Sequence, residues 1–113
     1  MALDEPNKID AIGIENCTGL AILTIADAWD WREEQKHFVA LQAKLNAYLN
    51  FIESGQIWES YPDAVGHKLA IDVVGRFPIP QPGIDFLERV SSACADLGVK
   101  IRYRHYTGNE AAN

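Results

Sequence analysis

LAILTIADAWDWREE, residues 20–34, changes its period halfway along. Ala21, Leu23 and Ile25 recur at every second residue, which is the buried side of a strand. Asp30 is a good helix N-cap, and Glu33 stands three residues later, the spacing of a capping box. Beyond it Phe38, Leu41, Leu45, Tyr48 and Ile52 recur at threes and fours, marking one buried helix face to about Ser54. Val39, Leu49 and Phe51 widen that apolar surface. Gly55 is placed to end the helix in a left-handed conformation. A strand thus runs into a long helix through a short corner that carries two tryptophans.

Upstream, Ile9–Glu15 (IDAIGIE) alternates with Ile12 and Ile14 in phase, and NCTG separates it from the first strand quoted. Asn and Gly supply turn conformations that other residues resist, so a hairpin is expected. Downstream, ESYPDAVGHK (residues 59–68) is too broken to be helix or strand. Lys68–Phe77 is a strand, with Leu69, Ile71, Val73, Gly75 and Phe77 on one side and Ala70, Asp72, Val74 and Arg76 on the other. After PIPQPG a second helix starts near Pro82, a favoured first-turn position, and ends at Gly98. Its expected inward residues are Phe86, Leu87, Val90, Ala93, Cys94 and Leu97. The last strand is Val99–Tyr106, with Val99, Ile101 and Tyr103 inward and Lys100, Arg102 and Arg104 outward.

The expected fold is α+β: a two-layer sandwich, a four-stranded sheet with two helices on one face, in the order ββαβαβ. Strand order stays open. Residues 9–106 form one domain, residues 1–8 a flexible leader and residues 107–113 a polar tail.

The chain has 113 residues, enough for one modest core, and a net charge of −6. That charge argues against non-specific nucleic-acid binding. It is unevenly placed: residues 1–65 carry 11 acids and 4 bases, residues 66–113 carry 5 acids and 6 bases. Cys17 and Cys94 lie in no metal or redox spacing and are expected as free thiols. No apolar run suits a membrane span or a signal peptide, so the expected setting is cytoplasmic.

IDAIGIE, the TG of the hairpin turn, DAWDW, LQAKLNAYLNFIESGQI and SYPDAVGHK together resemble a family of small bacterial proteins catalogued as domain of unknown function 6572. The resemblance runs from about Ile9 to Tyr103. It implies a single domain and a bacterial cytoplasmic setting, and brings no activity, cofactor or catalytic residue.

Four groups of residues are candidates for function. Tyr61, Asp63 and His67 share ESYPDAVGHK, where Asp63 and His67 could pair as acid and base; the same residues are good turn chemistry, and a connector is the preferred reading. Glu33, Glu34 and His37 include one ExxH pair, where di-iron helical bundles need two; they are expected as a solvated first turn that complements the helix dipole. Trp29, Trp31 and Trp58 could line a cleft or an interface, or plug the ends of the sandwich. Arg76, Lys100, Arg102 and Arg104 are expected on the outward sheet face beside Asp72, where they could meet a protein partner or an anion, or form cross-strand ion pairs. No nucleophile elbow, P-loop, dinucleotide glycine pattern or zinc spacing is present. The preferred functional reading is a non-catalytic protein-interaction module, a homodimer or one that binds another protein, with no cofactor, metal, nucleic acid or membrane. The alternative is a small-ligand or anion-binding protein using the exposed sheet face or a Trp-lined cleft.

Overall fold

Ala21, Leu23 and Ile25 do form the buried side of a strand, and the computed structural model, which describes residues 9–105, shows what that side is packed against. The elements in chain order are β1 (Ala11–Ile14), β2 (Ala21–Asp27), α1 (Glu34–Glu53), α2 (Gln56–Ser60), β3 (Leu69–Gly75), α3 (Gln81–Cys94) and β4 (Val99–His105). Short 3-10 turns occupy Pro62–Ala64 and Ala95–Leu97. The leader, the tail and Tyr106 lie outside the described residues.

The strands are laid side by side in chain order, β1-β2-β3-β4. The first pair is antiparallel and closes through the expected hairpin turn, where Gly19 takes φ 74°. The other two pairs are parallel, so each needs a helical crossover. Leu23, Ile71 and Ile101 stand in register on one face of the sheet. All three helices contribute to the core beside that face: Leu41, Leu45, Tyr48 and Ile52 from α1, Ile57 from α2, Leu87 and Cys94 from α3. The other face carries Thr24, Asp72 and Arg102 in register.

Three expectations about the elements are corrected. Among the described residues the order is ββααβαβ, with three helices rather than two: after Gly55 turns left-handed (φ 80°), five residues wind again as α2, a segment too short to show a period. Helix α1 begins at Glu34, and Glu33 at its N-cap makes no side-chain cap bond. Asp30 is used elsewhere: its carboxylate accepts the Arg32 N–H at 3.2 Å, which folds a tight turn before the helix. Strand β3 ends at Gly75, so Phe77 passes beyond it and is exposed, as is Leu97 in the turn after α3.

Two buried polar side chains tie the first strand region to α1. Lys44, fully buried, reaches Asp10 Oδ1 at 3.0 Å. The Tyr48 hydroxyl donates to the Thr24 carbonyl at 2.5 Å and accepts the Asp10 N–H at 2.9 Å. Burial pushes the Tyr48 hydroxyl pKa far above its ordinary value, so it stays a donor. Cys17 is exposed and Cys94 buried, and both are free thiols. Burial, with a smaller contribution from Glu53, raises the Cys94 pKa.

Candidate functional site

The corner between β2 and α1 gathers the densest polar and aromatic cluster among the described residues. Asp27 continues the buried phase of Ala21, Leu23 and Ile25, so strand alternation turns a carboxylate inward. His37 lies four residues before Leu41, on the buried stripe of α1. Asp27 is 3 % exposed and His37 1 %. His37 Nε2 and Asp27 Oδ2 are 2.5 Å apart. His37 Nδ1 lies 2.8 Å from the Asp30 carbonyl.

The partners fix the protonation. A carbonyl only accepts, so Nδ1 carries the hydrogen. Nε2 and Asp27 then share one proton, as imidazolium with carboxylate or as imidazole with carboxylic acid, and the pair is neutral either way. Burial pushes the Asp27 carboxyl up from its ordinary range, while the bond and charge of His37 and the Trp29 N–H (3.1 Å) pull it back in part.

Two indole rings pack on His37. Trp31 stacks on His37 with centroids 3.6 Å apart and planes 11° apart, and Trp29 meets it edge-on at 5.8 Å. Phe38 continues the row from Trp31 to Phe86 of α3. Gly83 in the first turn of α3 leaves room for this: a Cβ there would stand 3.5 Å from Trp31 Cη2 and 2.6 Å from Ile79 Cγ2. A His–Asp pair is the orienting half of a nucleophilic triad, but here the second ring nitrogen is taken by a backbone carbonyl. No ring nitrogen is open to a substrate, so the geometry suits a polar pin rather than a general base. The expected solvated turn is thus half right: Glu33 and Glu34 are exposed, and His37 is among the most buried side chains. The signal was present in the sequence as polar residues on mostly apolar faces, Asp27 on β2 and His37 on α1.

Outside the pin, Ala28, Trp29, Asp30, Arg32, Glu33 and Lys36 line an open depression of about 450 Å³. Its charges are paired within it, Arg32 with Asp30 at 3.4 Å and Lys36 with Glu33 at 3.9 Å. Lys36 Nζ stands 6.0 Å above the Trp29 ring.

On the open sheet face, Asp72 sits between two guanidinium groups, 3.6 Å from Arg102 Nη2 and 3.6 Å from Arg104 Nε. Arg102 also reaches Glu15 at 3.4 Å. The Thr18 hydroxyl and Arg102 hold the Glu15 carboxyl below its usual range. Register places Lys100 on this face, two residues before Arg102. Arg76 does not join the row; it follows the end of β3, and its carbonyl accepts from His105 Nε2 at 3.1 Å.

The remaining candidates are dispersed. Trp58 is half exposed on α2, and among the described residues no ring contact links it to Trp29 or Trp31. Tyr61 lies half-buried against the core. Asp63 is exposed in the 3-10 turn. His67 donates from Nδ1 to the Gly19 carbonyl at 2.6 Å, which ties this segment to the hairpin turn, and no bond joins it to Asp63. Among the described residues no group of three or more His, Cys, Asp or Glu could hold a metal ion, and no helix is long and apolar enough to cross a membrane.

Comparison with curated proteins and with solved structures finds no match. A family model covers nearly the whole chain, residues 1–107, and the chain therefore belongs to the Family of unknown function (DUF6572).

Proposed function

We propose that this chain is a non-catalytic protein-interaction module of the bacterial cytoplasm, and that it meets its partner on the rim of the sheet formed by β4. The observation that carries this reading is the placement of β4. It is a full seven-residue strand at the edge of the sheet, with Lys100, Arg102 and Arg104 on its open-face side. The buried pin at the opposite face supports the non-catalytic half of the reading, because it uses up the one His–Asp pair among the described residues. The partner is a protein, since a chain of net charge −6 is repelled by nucleic acid. A simple anion is a poorer fit, because Asp72 and Glu15 already offset part of the charge of Arg102 and Arg104.

The test is recovery of tagged protein from cells that express it naturally, wild type beside the double variant Lys100→Glu and Arg104→Glu. The wild type brings down a protein at low salt that the variant does not, and high salt releases it. The same set of proteins recovered with both would overturn the reading. A second reading has one observation behind it, the half-buried Trp29 ring in the depression beside Lys36. A small polar ligand there would be lost on Trp29→Ala and unaffected by the β4 variant.

A further inference from the structure

The two edges of the sheet are unequal. Strand β1 has four residues and β4 has seven. Short strands protect an edge, whereas a long one presents a row of unpaired backbone groups. Two ladder bonds show which groups those are. The Ala21 N–H bonds the Lys68 carbonyl at 2.8 Å, and the Arg76 N–H bonds the Asp27 carbonyl at 2.9 Å. The odd-numbered residues of β2 therefore face the even-numbered ones of β3. Alternation turns the odd-numbered residues of β3 toward β4, which answers with its even-numbered residues. Among the described residues no strand lies beyond β4, and the N–H and C=O groups of Ile101 and Tyr103 are aimed at that edge.

Side chains sort by the same parity. Ile101 and Tyr103 lie on the helix side, and Tyr103 is 41 % exposed there. Lys100, Arg102 and Arg104 lie on the open side. A strand added beside β4 would thus meet a row of bases on one face and an apolar rim on the other. A second copy is a poor occupant. In an antiparallel pairing of β4 with itself, residues opposite one another have the same parity, so every register sets bases across from bases or past the strand end. Like charges directly opposite are destabilising. Asp72 and Glu15 lie inboard, on the far side of the basic row.

Resting on the interaction reading above, we infer that β4 accepts an extended segment of a different protein as a fifth strand, and that this segment alternates acidic and apolar residues. Main-chain bonds to Ile101 and Tyr103 supply affinity, and the bases supply specificity.

The test is fluorescence anisotropy with a labelled short peptide of alternating Glu and Val. It binds the wild-type protein at low salt and weakens at least about tenfold at high salt. Binding is lost on Tyr103→Pro, which removes a donor that faces the free edge and leaves the bonds to β3 in place. It is equally lost when alternate amides of the peptide are N-methylated, a change that leaves the protein untouched. The inference is overturned if no binding is seen, if a peptide of alternating Lys and Val binds as well, or if N-methylation has no effect. If the tagged protein still captures a salt-sensitive partner in any of those cases, the interaction reading stands and only strand addition falls.

Discussion

Asp27 and Asp72 are the same residue type on neighbouring strands, and they are used in opposite ways. Asp27 faces the helices and shares a proton with His37, whose ring packs against two indole rings. Asp72 lies on the other face of the sheet, 7 % exposed, between two arginines, of which Arg102 also reaches Glu15. A buried pair is costly to break, because removing one member strands the other without water. Around Asp72 the guanidinium groups stay partly exposed, 27 % for Arg102 and 53 % for Arg104, so water can replace a lost partner at small cost. The corner therefore belongs to the architecture, and the rim is the part of the molecule whose chemistry can change without loss of the fold.

Breaking the corner should give the largest effect. His37→Ala leaves the Asp27 carboxyl buried without its partner and Trp31 without its stacking surface. A loss of about 3–5 kcal/mol is expected in urea unfolding. A loss below about 1 kcal/mol would mean that water reaches the pair. Gly83→Ala attacks the same corner from α3, where the new methyl would press on Ile79 at 2.6 Å. Overpacking of this kind costs about 1–3 kcal/mol, read as a lower melting temperature.

Asp27→Asn sharpens the comparison through pH. Burial raises the Asp27 pKa, so this group favours the fold in its protonated form, and the contribution is lost as the pH rises through the raised value. Wild-type stability should therefore fall as the pH rises from the ordinary aspartate value of about 3.9 through the raised Asp27 value, by at most about 1.4 kcal/mol per pH unit. In the variant, Asn can donate to a neutral His37 and still accept the Trp29 N–H, so that slope should flatten. Denaturant melts from about pH 4 upward read the difference, and parallel curves would exclude a raised Asp27 pKa. Asp72→Asn is the smallest change: a loss of about 1 kcal/mol or less, with the fold retained by circular dichroism.

Local chemistry was legible in the sequence, and long-range pairing was not. Ile12, Ile14, Leu23 and Ile25 announced the hairpin strands, and Gly55 takes the positive φ that its place after a helix suggested. The stripe Leu41, Leu45, Tyr48 and Ile52 is buried as its spacing required. Helix α2 escaped because five residues carry no period. Strand order escaped because alternation states which face a residue takes, never which strand lies beside it. The pin escaped for a related reason: Asp27 and His37 are ten residues apart and meet only once the corner has turned. Lys44 sat on the stripe between Leu41 and Leu45, but its Asp10 partner lies 34 residues away. Trp58 and the Trp29–Trp31 pair looked alike in composition and were separated only by the fold.

The chain-ordered sheet also bears on how the molecule assembles. Every strand pairs with its predecessor, so no pairing waits for a later segment to be threaded between two earlier ones. The hairpin and the β3–α3–β4 unit each close over a short span, while β2 and β3 must meet across α1 and α2. That closure carries the largest entropy cost among the pairings. Refolding is therefore expected to be limited by the docking of α1 on β2 and β3, with the hairpin and the final strand adding on either side of a seam already formed.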